Sequence, residues 1–177
     1  ISALLESTLN FPELKHKYNI NLLKSIKPCP EAITSSCIYT ISCIDGVNGE
    51  KLSPKWLKDR IEKSGIKPIN LLVDLTNYIL LEQGQPLHAF DQEKLSNLIG
   101  KEVSPEDFSV RKAKDNESLV CLDGKKYELN DNITVVTCCD KPVAIAGVIG
   151  GLETSVTNTT SSIYLEGAVF NPVTIRK

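Results

Sequence analysis

The stretch from Asn70 to Glu82 places the tightest limit on what this chain can fold into. Leu71, Leu72, Val73, Leu75, Ile79, Leu80 and Leu81 recur at helical spacing but leave almost no polar face. A helix that is apolar nearly all round is expected to be buried, with packed structure around it. Asp74, Thr76 and Asn77 interrupt the run. Buried polar groups cost free energy unless they are hydrogen-bonded, so these three either tie the helix to neighbouring backbone or line a site. Gly84 ends the helix and Pro86 stiffens the chain as it returns.

The remaining elements must supply the surrounding layers. Residues 33–44 are rich in β-branched side chains and are expected to form a strand, with Gly46 and Gly49 marking a turn after it. Ser53-Pro54 opens a helix, with Ser53 as N-cap and Pro54 at its first position, and Gly65 closes it. Leu57 and Ile61 share its apolar face, opposite the charged Lys55, Lys58, Asp59 and Lys63. Past residue 100 the signals are those of strands. Phe108 to Ala113 alternates, and Leu119–Leu122 and Lys126–Leu129 flank Asp123-Gly124, a type I′ hairpin signal. Ile133–Cys138, Val143–Ile145 and Ile163–Leu165 are short β-rich runs, with the glycine-rich bend Ala146-Gly147-Val148-Ile149-Gly150-Gly151 before the last. The expected fold class is α+β, with mixed β layers and a few packed helices. Residues 1–30 are expected to be a lead-in segment. In it Leu4, Leu5, Leu9 and Phe11 are expected to pack on a neighbouring domain, and Pro28-Cys29-Pro30 to stop any helix. Residues 31–177 form the domain proper.

Composition excludes several function classes. The 177 residues carry a formal net charge of −2, without the basic excess of a duplex-coating nucleic-acid binder. No apolar run reaches about 18 residues, so no membrane span is expected. The first residues lack the plan of a signal peptide. The chain has no methionine, and it is expected to be a piece of a longer protein. Six cysteines and two histidines form no short-spaced ligand pairs. Reduced cysteines serving as small core residues, and no metal, are the expectation.

The densest chemistry lies in Thr76-Asn77 and in Gly84-Gln85-Pro86-Leu87-His88-Ala89-Phe90-Asp91. A loop after Gly84 would fold back and set His88 near Thr76 and Asn77. There it either orients water or takes a proton, or it is a loop brace held by Asp91. The glycine bend has neither Walker A nor dinucleotide-binding spacing. Its glycines either let backbone approach a ligand closely or simply permit a tight turn. Glu166 follows a β-rich run; it is a buried carboxylate needing a donor if it points inward, and an ordinary surface residue if outward. No nucleophile elbow and no zincin motif occurs.

Several of these segments, taken in order, resemble one family. Ser64-Gly65-Ile66-Lys67-Pro68-Ile69-Asn70, Val73-Asp74-Leu75-Thr76-Asn77-Tyr78, Gly84 to Asp91, Leu122-Asp123-Gly124, Ala146 to Gly151, Leu165-Glu166 and Pro172 to Lys177 are similar to the beta subunit of bacterial phenylalanyl-tRNA synthetases. The likeness covers roughly residues 30 to 177, and linked motifs are far more specific than any single one. It implies the central editing module, which in the family hydrolyses tyrosine mischarged on phenylalanine tRNA. Carried over position by position, Thr76, Asn77 and His88 would line the hydrolytic side. Pro86, Ala146 and Gly147 would wall the amino acid, and Glu166 would bind the tyrosine hydroxyl. Lys67, a further substrate- or tRNA-binding position, stands where the family is expected to carry arginine, which is not an equivalent donor. Gly167 stands where alanine is expected.

The resemblance also implies partners: mischarged tRNA, the synthetase's alpha subunit and the other beta-subunit domains. It implies a cytoplasmic setting and no cofactor in this fragment, with ATP and magnesium serving phenylalanine ligation in the full synthetase. The chemistry is coherent. A site built to hydrogen-bond a hydroxyl rejects the analogue that lacks it, since its buried polar group would go unpaired. An activated ester needs only a positioned water. The alternative is a non-catalytic structural or tRNA-holding module of the synthetase.

Overall fold

The computed structural model describes residues 38–175 and the short strand β1 (Lys24–Ser25). The remainder of the expected lead-in, including Leu4, Leu5, Leu9, Phe11 and Cys29, lies outside the described residues. Strand β2 (Ile38–Asp45) is followed by helices α1 (Lys55–Lys63) and α2 (Leu71–Gln83), strand β3 (Leu87–Asp91) and helix α3 (Gln92–Ile99). The second half holds β4 (Phe108–Lys112), β5 (Ser118–Val120), β6 (Lys126–Glu128), β7 (Thr134–Cys138), β8 (Lys141–Ile145), β9 (Ile149–Gly150), β10 (Ser162–Val169) and the short helix α4 (Pro172–Ile175).

Two antiparallel four-stranded sheets organise the α+β fold, one in the order β1-β2-β10-β3 and the other β4-β7-β8-β9. Strand β10 enters the first sheet from the far end of the sequence and pairs on both sides. Its inward residues alternate with outward ones. Tyr164 meets Tyr39, Ile41 and Phe90 from the same sheet, and Phe108, Val110, Val136, Val143 and Ala144 from the other, in the main core. On the opposite face, Ala89 and Ile163 pack against Leu72 of α2, flanked by Val47, Val156 and Leu165.

The expectation of a wholly buried α2 is overturned. Only Leu72 and Asp74 are buried, while Leu75, Leu80 and Leu81 are 38, 38 and 44% exposed. One sheet face and α1 cover part of the helix, and among the described residues no second layer closes over the rest. Asp74 takes the structural role, accepting from the Ser53 hydroxyl and from the Ile69 amide at 2.8 Å. That engagement explains a second correction. Ser53 is not the N-cap of α1; Pro54 is, without a side-chain cap, because the Ser53 hydroxyl is turned to Asp74. Asn70 caps α2 by accepting from Val73 N, and Gly84 closes it at φ 71°.

Two further expectations need adjustment. The return after Gly84 is strand β3 rather than a loop, and α3 follows at once, capped by Asp91. The Asp123-Gly124 turn is not type I′, since only Gly124 has a positive φ and the strands stop at Val120 and Lys126. The tight turn with two positive φ values falls instead at Cys139 and Asp140, between β7 and β8. Asp140 is tied there to Arg111 and Lys114. Among the described residues Cys43, Cys121, Cys138 and Cys139 are free thiols, and Cys121 and Cys138 are buried.

Candidate functional site

Pairing of β3 with β10 sets His88 directly opposite Glu166. Both residues point away from α2, because Ala89 and Leu165 occupy the face that α2 covers. They line a cavity of about 620 Å³ between the two sheets. Pro86 lies at its β3 end. The turn Ile145–Val148 brings in Ala146 and Gly147, and Gly150, Phe170 and Ile175 complete the wall. The size suits a small molecule.

His88 stands edge-on to Phe90, with ring centroids 4.5 Å apart. Its Nε2 is buried and, among the described residues, has no hydrogen-bond partner. Burial without a compensating charge pushes its pKa from 6.5 down to about 4, so the ring is neutral at physiological pH. Gly150 packs against it. A Cβ at position 150 would sit 2.3 Å from His88 Cε1 and 2.6 Å from Nε2. Gly147 is required for another reason: its φ is 68°, where side chains are strained, and a Cβ would lie 3.1 Å from Phe170.

Glu166 is 8% exposed and accepts a hydrogen bond from the Tyr39 hydroxyl at 3.0 Å. Burial raises its pKa from 4.5 to about 7, against the opposing pull of the Tyr39 hydrogen bond. The site therefore pairs a neutral imidazole with a carboxyl poised to change charge near neutrality. The two environments push two groups toward one another's ordinary range, a pattern frequent at functional sites.

His88, Glu166, Pro86, Ala146 and Gly147 come together, while Thr76, Asn77 and Lys67 do not line the cavity. Thr76 and Asn77 lie on α2, which packs on the other face of the sheet, and the Thr76 hydroxyl donates to Val73 O at 2.8 Å. Lys67 is exposed in the segment joining α1 to α2. Asp91 does not brace His88, since three residues along a strand place them on opposite faces. It caps α3 through Lys94 N and accepts from Thr160. Sequence reasoning missed Tyr39 and Gly150. Tyr39 carries no local signal, being 127 positions from the carboxylate it contacts. Gly150 stood in the noted bend but without a role. Among the described residues no three His, Cys, Asp or Glu side chains are grouped to hold a metal ion, and no helix is long and apolar enough to cross a membrane.

The B3/4 domain family matches residues 36–177. This chain belongs to that family. The B3/4 domain is 91% identical over all 177 residues to a phenylalanine–tRNA ligase beta subunit of Prochlorococcus marinus, and 72% identical to that of a second strain. Against the beta subunit of a Synechococcus strain it is 46% identical over 176 residues, 99% of this chain. The domain spans about a fifth of the length of these curated relatives, 21 to 22%. An N-terminal fragment of the phenylalanyl-tRNA synthetase beta subunit from Pyrococcus horikoshii aligns over 78% of this chain and 40% of its own. Its identity is 14% and its TM-score 0.46.

Proposed function

We propose that this B3/4 domain hydrolyses tyrosine wrongly esterified to phenylalanine tRNA, within a phenylalanine–tRNA ligase beta subunit. The observation that carries the proposal is the pairing of His88 and Glu166 across β3 and β10 at the wall of one cavity. Glu166 reads the substrate: ionised, it accepts a hydrogen bond from the tyrosine hydroxyl. Phenylalanine offers no donor and leaves the carboxylate desolvated and unpaired. His88 serves the reacting end. In this scheme the neutral ring of His88, which lines the cavity, orients water toward the ester carbonyl. A group with its pKa near 4 is a weak base at neutral pH, so its contribution is mainly orientation. Water adds to the carbonyl, the tRNA hydroxyl leaves with a proton, and free tyrosine is released.

The walls at Pro86, Ala146 and Gly147 hold the amino acid in this scheme, and Thr76 and Asn77 stay outside the pocket. The domain works with the alpha subunit and the other beta-subunit domains in the cytoplasm. ATP and magnesium serve phenylalanine ligation elsewhere in the synthetase. In this scheme Lys67, which is exposed, contacts tRNA rather than the amino acid.

Deacylation of tyrosyl- and phenylalanyl-tRNA by the full-length protein tests the scheme. Glu166→Ala should lose tyrosine preference by roughly 10- to 150-fold while still hydrolysing ester, the value of a hydrogen bond to a charged group at about 1.5–3 kcal/mol. His88→Ala should lower hydrolysis of both esters with less change in preference. Unchanged rates and ratio in both variants would mean a structural or tRNA-holding module instead.

A further inference from the structure

We propose that Tyr39 is a positioning residue for specificity: its hydroxyl holds Glu166 as an oriented, ionised acceptor facing the cavity. The inference rests on the proposed editing activity for its consequence, though not for its geometry. Tyr39 is 1% exposed, lies on β2 beside β10, and donates to Glu166 Oε2 at 3.0 Å. That oxygen is thereby fixed by a phenol of the protein, and the carboxylate is set to meet a second phenol from the substrate.

Among the described residues the surroundings give Glu166 little else to stabilise a negative charge. From β3 the facing titratable group is His88, neutral above about pH 4. Tyr164 shares its face of β10 and is turned to the Val103 carbonyl. The wall from β8, the turn after it, β9 and α4 is built of Ala144, Ile145, Ala146, Ile149 and Ile175, with Gly150. Among the described residues no lysine, arginine or aspartate lines the cavity. Burial drives Glu166 toward its neutral form, and the Tyr39 bond opposes it.

A protonated Glu166 would spend its own hydrogen as a donor and lose the charge-assisted bond to the tyrosine hydroxyl. Removing the Tyr39 hydroxyl should therefore weaken discrimination near neutral pH without emptying the site. Phenylalanine at position 39 keeps the packing among Ile41, Phe90 and Tyr164. Loss of a hydrogen bond to a charged group moves the ionisation midpoint up by roughly one to two pH units. From about 7, that lowers the ionised share at neutral pH by roughly 5- to 50-fold.

The experiment uses the full-length protein with Tyr39→Phe, Glu166→Gln and both changes together. Two quantities are read against pH: the tyrosine-to-phenylalanine deacylation ratio, and the Glu166 ionisation midpoint by carbon-13 NMR of labelled glutamate, assigned by its loss in Glu166→Gln. The expected result is that Tyr39→Phe raises the midpoint and lowers the ratio roughly 5- to 50-fold at neutral pH. The ratio should recover as the pH is raised, and Tyr39→Phe should add nothing in the Glu166→Gln background. A merely structural role for Tyr39 would not give a loss that alkali repairs. An unmoved midpoint overturns the inference, as does a loss of ratio that persists at high pH. A raised midpoint in a protein that deacylates neither ester leaves the hold of Tyr39 on Glu166 standing and defeats the editing function instead.

Discussion

Replacing Glu166 by glutamine should stabilise the fold, and should do so only where the carboxyl would otherwise be charged. The folded pKa is about 7 against an ordinary 4.5. A group whose pKa is raised on folding contributes stability below its unfolded pKa and loses it as pH climbs through the folded one, here between about 4.5 and about 7. At about 1.36 kcal/mol per unit, the full cost of ionising Glu166 in place is about 3 kcal/mol. At about pH 5 the cost is about 1 kcal/mol, and by about pH 8 it is nearly complete. Glutamine has nearly the same volume and can still accept from Tyr39, so it avoids the cost at no loss of packing. His88 is common to both proteins. Its depressed pKa gives stability that is present above about 6.5 and lost toward about 4, and this slope cancels in the difference. Urea unfolding followed by circular dichroism should show Glu166→Gln gaining about 2 kcal/mol more at pH 8 than at pH 5, with an unchanged denaturant slope. A gain of equal size at both pH values, or a destabilisation at pH 8, would refute the assignment of Glu166 as a strained buried carboxyl.

Three other outcomes are expected. Gly150→Ala should displace the His88 ring and cost roughly 1–3 kcal/mol by overpacking, measured by denaturant unfolding, together with a loss of hydrolysis at least as large as that of His88→Ala. Gly147→Ala, at φ 68° and against Phe170, should cost about 1 kcal/mol or more in the same assay, while Gly84→Ala, with nothing within 4 Å, should show only the strain of its positive φ. Ser53→Ala should leave the buried Asp74 short of a donor and destabilise the α1–α2 pair by roughly 1–3 kcal/mol. Hydrogen exchange should then rise in those helices and not in β10.

The sequence by itself determined the elements whose signals are local. Leu57 and Ile61 marked the buried stripe of α1, Gly84 marked the end of α2, alternation located β4, and the β-rich runs located β7 and β10. Linked motifs pointed to the family and to His88, Glu166, Pro86, Ala146 and Gly147 as residues of interest. Tertiary structure decided what those signals could not reach. Whether α2 was buried depended on how many layers lay over it, and composition is blind to that number. Whether Thr76 and Asn77 joined His88 depended on which sheet face each occupied. That was fixed when β3 formed a strand, because neighbouring side chains then alternate sides. Glu166 pointed inward, and acquired Tyr39 as its donor, only because β10 slid between β2 and β3 in one register. Periodicity reports what a residue shares with its near neighbours along the chain. The charge state of this carboxyl, and the bare Nε2 opposite it, are properties of strands brought together from distant parts of the sequence.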